Sequence, residues 1–207
     1  MDAGQKTSYS GSGTIWYDLS GNRNNVTLTN GPSYNAANGG SIVFDGVNDY
    51  AQTSTVVLPT SNTSPLTLVA FCYLTTAVSY YQTVLGTAGS FSQIGFYYSN
   101  FAGGRNGGGG NILYTSLASI TANNWYQICM TYDGTNGRFF LNGNLVYTNT
   151  IGSNNVSNGV TVLSTYNSGN ALEPFTGKLS IARIYNRALS AGEILQNYNT
   201  TKGRFGL

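Results

Sequence analysis

Gly177-Lys178-Leu179-Ser180-Ile181-Ala182-Arg183-Ile184-Tyr185-Asn186-Arg187-Ala188-Leu189-Ser190, followed by Ala191-Gly192-Glu193-Ile194-Leu195, reads as a strand that breaks directly into a capped helix. Ser190 with Glu193 three residues on is a capping box, in which each residue's side chain meets the other's free backbone N–H. Leu189 and Ile194 have the spacing of a hydrophobic staple across the same helix start. One short helix beginning at Ser190 is therefore expected. Almost nothing else in the chain carries a helical period.

Working outward, strand-like runs recur at short intervals: Ser41 to Phe44, Thr67 to Leu74, Gln82 to Leu85, Gln93 to Tyr98, Ile112 to Thr115, Trp125 to Tyr132, Arg138 to Leu141, Leu145 to Asn149, Val160 to Leu163 and Lys178 to Tyr185. Many short strands separated by turn residues point to an all-β sandwich. Asn142-Gly143, between Arg138-Phe139-Phe140-Leu141 and Leu145-Val146-Tyr147, is the strongest hairpin signal, because both turn positions need positive φ. Asp133-Gly134 and Asn136-Gly137 mark the turn before it. The run Gly103-Gly104-Arg105-Asn106-Gly107-Gly108-Gly109-Gly110 is read as an exposed flexible loop. No linker and no fixed-period repeat is seen, so residues 1–207 are expected to form a single domain.

Composition narrows the function. Charged residues are 8% of the chain, well below the roughly 25% of an average domain, and the net charge of +2 is scattered without a basic run. That excludes the electrostatic footprint of a nucleic-acid binder. No apolar stretch approaches the length of a membrane span, and Met1-Asp2-Ala3-Gly4 has neither the basic start nor the apolar run of a secretory signal. Either the chain is used without general export or a signal has been removed. Cys72 and Cys129 lie in apolar strand-like runs and are read as buried free thiols, the alternative being a disulfide. The sequons at Asn25, Asn62, Asn155 and Asn199 are no more than a chain this rich in Asn, Ser and Thr carries by chance.

Four landmarks now stand in order: Trp16-Tyr17-Asp18-Leu19-Ser20-Gly21-Asn22, Ile42-Val43-Phe44-Asp45-Gly46-Val47-Asn48-Asp49-Tyr50, Trp125-Tyr126-Gln127-Ile128-Cys129-Met130-Thr131-Tyr132-Asp133-Gly134, and the opening segment. Together, over roughly residues 14 to 200, they resemble the laminin-G-like domains of the concanavalin A-like lectin/glucanase superfamily. The resemblance implies a jelly-roll β-sandwich of two antiparallel sheets with one short C-terminal helix, and it places Trp16 and Trp125 in the core. The Asn-rich turns and the ending Tyr198-Asn199-Thr200-Thr201-Lys202-Gly203-Arg204-Phe205-Gly206 are similar to such domains in structural proteins of tailed bacteriophages. Asn142 and Ser180 stand where relatives often carry Asp, so this chain lacks both of those carboxylates.

Catalysis of the kind some relatives perform needs a pair of carboxylates flanking a glycosidic bond. The chain's glutamates are Glu173 and Glu193, the latter occupied as a helix cap, and there is no His to act as general base or zinc ligand. A non-enzyme is expected. Calcium is the cofactor the pattern offers: Asp18, Asn22 and Asn24 present oxygens around a glycine turn, with Asp45 and Asp49 as further ligands if their loop packs nearby. The competing reading is that these residues make side-chain-to-backbone turns. For sugar recognition the stretch from Tyr80 to Tyr114 supplies aromatic faces and polar donors, with Tyr97, Tyr98, Phe101, Arg105 and Asn106 as the expected ligand-binding residues. The competing reading makes those aromatics core.

The leading expectation is a non-catalytic decoration protein of a phage capsid or tail, located on the virion surface, carrying a lectin-like domain that adheres to cell-surface glycans. Its partners would be other virion proteins or itself, as a trimer. The rival is a carbohydrate-binding module of a secreted bacterial enzyme or adhesin, which would be extracellular.

Overall fold

The computed structural model describes residues 1–57, 64–76, 81–88, 92–97, 101–105, 112–150, 159–165 and 172–207, with backbone alone for 101–105 and 112–119. Its strands are β1 (Ile15–Trp16), β2 (Val26–Thr29), β3 (Ser33–Asn35), β4 (Ser41–Asp45), β5 (Tyr50–Thr53), β6 (Leu66–Leu74), β7 (Gln82–Thr87) and β8 (Gln93–Tyr97). There follow β9 (Phe101–Arg105), β10 (Ile112–Ser119), β11 (Asn124–Tyr132), β12 (Asn136–Leu141), β13 (Asn144–Thr150), β14 (Thr161–Leu163) and β15 (Thr176–Tyr185), then the helix α1 (Ala191–Thr201). Two antiparallel sheets result, in the orders β1-β2-β5-β14-β7-β8-β9-β10 and β13-β12-β11-β6-β15-β4-β3. This is the expected sandwich.

The centre of the seven-stranded sheet is buried on both faces, which explains why β6 reads as an unbroken apolar run rather than an alternating one. Leu66, Leu68, Ala70, Cys72 and Leu74 point into the core between the sheets, while Val69 and Phe71 belong to a second apolar cluster on the outer face. Trp16 lies in the first core and Trp125 in the second. The single domain thus holds two apolar clusters, the second made where the C-terminal segment, through Leu189, Ile194 and Phe205, roofs the outside of the sheet. Cys72 and Cys129 fall on opposite faces of that sheet and are free, with burial pushing both thiols far up. No helix among the described residues is long and apolar enough to cross a membrane.

The Gly103-Gly104-Arg105 stretch is corrected too. It is not loop but part of β9, paired with β8 on one side and β10 on the other. A ladder is built from backbone groups, so a strand flanked on both sides holds even where glycine contributes no side-chain packing. Asn106 and the glycines after it, to residue 111, lie outside the described residues.

The capping box forms as expected: the Glu193 amide donates to Ser190 Oγ at 3.3 Å, and the Ser190 amide donates to Glu193 Oε2 at 2.8 Å. Ser190→Ala should lower stability by about 1 kcal/mol, read as a shift in denaturant midpoint with unchanged slope. The Arg187 guanidinium, with help from Ser190, holds the Glu193 carboxyl down at about 2. A depressed carboxyl contributes stability that is present above its unfolded range near pH 4 and is lost as the pH falls through about 2, so α1 should loosen in that window.

Candidate functional site

On β8, Ile94 and Phe96 enter the core between the sheets, so Gln93, Gly95 and Tyr97 occupy the opposite face. The register sets Gln93 against Arg105, Gly95 against Gly103 and Tyr97 against Phe101, and on the other side it sets Gln93 against Gly86 of β7. Three of the expected ligand-binding residues, Tyr97, Phe101 and Arg105, are thereby brought to one sheet face, while Tyr98 and Asn106 lie outside the described residues. Tyr97 is not displayed for stacking: it is 6% exposed, with its ring edge-on to Tyr81 at 4.7 Å.

Gln93 is the residue that sequence reasoning missed. It is 1% exposed, and its amide nitrogen has no hydrogen-bond partner. The Thr83 hydroxyl, which has one proton to give, lies 2.9 Å from Glu173 Oε2 and 3.5 Å from Gln93 Oε1, so it donates to the carboxylate. Turning the Gln93 amide over would leave its carbonyl unmet instead, so one polar end goes unpaired in either orientation. Such a group costs about 1–3 kcal/mol when it stays unpaired. The neighbouring glycines keep this face closely built: a Cβ on Gly86 would sit 2.5 Å from Gln93 Cγ, and one on Gly95 would sit 2.2 Å from the Gln82 carbonyl oxygen. The alternation Gln93-Ile94-Gly95-Phe96 was the available signal, since it puts the glutamine on the face away from the core.

The residues expected to hold calcium fall in two separate loops. The Asp18 carboxylate accepts from the Ser20 amide at 2.9 Å, the Ser20 hydroxyl at 2.7 Å and the Asn24 amide at 3.0 Å. Burial raises its pKa, but these bonds from Ser20 and Asn24 outweigh it, and the net shift is downward. The Asn22 side-chain amide donates to Ser20 Oγ at 3.2 Å. Asp45 and Asp49 belong to another loop, where Asp45 Oδ1 accepts from the Val47 amide and Asp49 Oδ2 from the Asp45 amide. Burial, with the Asp45 charge adding to it, pushes the Asp49 carboxyl up. The β2–β5 ladder separates the two loops: Val26 pairs with Thr53 at the Asp18 end, and Thr29 with Tyr50 at the Asp49 end. Among the described residues no three carboxylate or thiol groups cluster in a way that could hold a metal. As arranged, the Asp18 loop aims donors at its carboxylate, which suits an Asx turn and does not fit a hard cation wanting six to eight oxygens. Millimolar calcium should therefore leave the melting temperature unchanged. A rise that Asp18→Ala abolishes would restore the calcium reading.

The two positions where relatives often carry Asp serve the backbone here. Asn142 Oδ1 accepts from the Gln127 amide at 2.9 Å. Ser180 Oγ, fully buried, donates to the Gly40 carbonyl at 2.6 Å. Of the two glutamates, Glu173 is held against Thr83 and Glu193 against Arg187 and Ser190. A separate cleft of about 660 Å³ opens at one end of the sandwich, beside the Asp18 loop.

Residues 45–195 match the Laminin_G_3 family, described as the Concanavalin A-like lectin/glucanases superfamily. No curated protein matches the sequence. Among solved structures, the binding domain of Paraclostridial Mosquitocidal Protein 1 is similar at a TM-score of 0.72 and 18% identity over 91% of this chain and 50% of that one. The chain thus spans about half the length of that binding domain. Domain 4 of AbnA, an extracellular arabinanase of Geobacillus stearothermophilus solved with arabinotriose, is similar at 0.64 and 16% identity over 83% of this chain and 86% of that one. A botulinum neurotoxin type C structure, described as showing cell entry dependent on interaction with two ganglioside molecules, is similar at 0.70 and 14% identity over 92% and 50%. Identities this low speak to the fold.

Proposed function

Because this chain belongs to the concanavalin A-like lectin/glucanases superfamily, we propose that it is a non-catalytic glycan-adhering module displayed on a surface. The observation that carries the reading is the face of β7, β8 and β9 turned away from the core, where the buried Gln93 amide lacks a partner beside Thr83 and Glu173. An amide, a hydroxyl and a carboxylate within one sheet face are the kinds of group that read sugar hydroxyls. The arabinotriose on the arabinanase domain and the gangliosides of the neurotoxin support glycans as the ligand class. The absence of His and the separate engagements of Glu173 and Glu193 support a binding rather than a cleaving role.

The surface we favour is a virion's, as a capsid or tail decoration whose partners are its own copies and other virion proteins. This rests on the Asn-rich turns and the C-terminal ending, which are similar to phage structural domains. A charge content of 8% also leaves little repulsion to keep copies apart. The rival setting, a carbohydrate-binding module of a secreted enzyme or adhesin, is favoured by the coverage of 86% of the arabinanase domain.

A glycan array with the purified chain and Gln93→Leu tests the binding role. The chain should retain at least one glycan and release no reducing ends from it. Gln93→Leu should weaken that binding by about tenfold or more without lowering the melting temperature, since it replaces an unmet buried amide with an apolar side chain of similar size. Binding of no glycan, or equal binding by the variant, overturns the reading.

A further inference from the structure

At the end of the sandwich near Asp18 the described residues leave a cleft open between the sheets. Thr161 lies two residues before the core residue Leu163 and shares its inward face, as Thr53 does with Ala51. From the other sheet come Ala182 and Ile184, and the four line the floor of the 660 Å³ cleft. Thr53 is fully used: its hydroxyl donates to the Thr55 carbonyl at 2.7 Å and accepts from the Thr161 amide at 3.0 Å. The Thr161 hydroxyl has no partner, although the residue is 1% exposed. At the rim stand two exposed amides, Asn22 and Asn186, and the half-exposed Leu19.

Both carboxylates at this mouth are already engaged. The Asp18 carboxylate receives three hydrogen bonds, and the Asp2 carboxylate is held by Arg204 at 2.7 Å. The Met1 nitrogen donates to the Ala182 carbonyl at 2.9 Å, and Arg183 is the one further charged residue on the lining. A cleft of this volume, with hydroxyl and amide groups around an aliphatic patch, has the size and mixture of a small-molecule site that selects for shape and hydrogen bonding rather than for charge.

We propose that this cleft is a second binding site, distinct from the Gln93 face, that takes a single neutral sugar residue: ring hydroxyls meet Thr161 and the rim amides, and the C–H face lies on Ile184 and Leu19. The site holds whether or not the sheet face binds glycans.

The test is a titration of the isotope-labelled chain, followed by backbone amide shifts, with methyl α-glucopyranoside and N-acetylglucosamine as neutral probes and methyl glucuronide as the charged one. Neutral sugars should shift residues 18–24, 161 and 182–186 with millimolar affinity, and the glucuronide should bind no more tightly. Thr161→Val, which keeps the shape and removes the hydroxyl, should weaken binding by about tenfold. Asn186→Ala, at an exposed position that cannot unfold the chain, should weaken it severalfold, and Gln93→Leu should leave it unchanged. Shifts confined to the β7–β9 face would remove this site while leaving the proposed function intact. No shift in the cleft at tens of millimolar of either neutral sugar, tighter binding of the glucuronide, or indifference to both cleft variants would each overturn the proposal.

Discussion

Replacing Phe205 with alanine should cost about 3–4 kcal/mol, the range for a buried aromatic whose space cannot refill. In a chain of this length that lowers the melting temperature by roughly 6–15 °C. The ring is 5% exposed, stacks on Phe71 at 5.2 Å between centroids and lies tilted against Trp125 at 4.5 Å. Those two residues belong to the outer face of the seven-stranded sheet, so removing Phe205 opens the roof rather than the core between the sheets. The two cysteines report which has happened. Cys129 lies under the roof and Cys72 in the inner core, so a thiol reagent should modify Cys129 in the variant well before Cys72. Equal protection of both, with a loss under about 1 kcal/mol, would mean that the C-terminal segment does not hold the outer face.

The features legible in the sequence were those written into neighbouring residues. Ser190 and Glu193 make their box, Asn142 and Gly143 adopt φ values of 50° and 79° in the hairpin, and the long strands lie within a residue or two of where the apolar runs put them, except β10, which continues past Thr115 to Ser119. The short strands β1, β2, β3 and β5 were not legible, because two to four residues leave too little alternation to see and pairing across the sheet makes them strands. Trp125 was read as core and is buried, but the side of the sheet it faces depends on a helix more than 60 residues later in the chain. At the candidate sites, an Asx turn and a metal loop share the same spacing of oxygens. Only the direction of the Ser20 and Asn24 amides, which the fold sets, separates them at Asp18. Gln93 gives no signal as a residue type, and its interest comes from what surrounds it.

Arg204 should prove as costly to lose as Phe205, and lysine should not replace it. Its guanidinium reaches five acceptors: Asp2 Oδ1 at 2.7 Å, Ser180 Oγ at 2.7 Å, and the carbonyls of Asn38, Gly39 and Gly40 at 2.8, 3.1 and 3.0 Å. One side chain thus joins the C-terminal segment to the first residues, to the turn before β4 and to β15. Gly39 and Gly40 can turn their carbonyls toward it because they adopt φ values of 74° and 109°, and a Cβ on Gly39 would lie 2.7 Å from Arg204 Nε. Arg204→Met keeps the aliphatic stem and removes the fork, so the three carbonyls and the Asp2 carboxylate lose a charged donor together, at about 3 kcal/mol. Arg204→Lys restores the charge, but three donors on one flexible nitrogen cannot reach acceptors spread around a planar fork, so most of the loss should remain. Denaturant midpoints for the two variants at low and high salt separate the causes. If charge alone mattered, lysine would rescue and the effect would fade with salt. The geometry of the fork predicts little rescue and little dependence on salt, because most of its acceptors are uncharged.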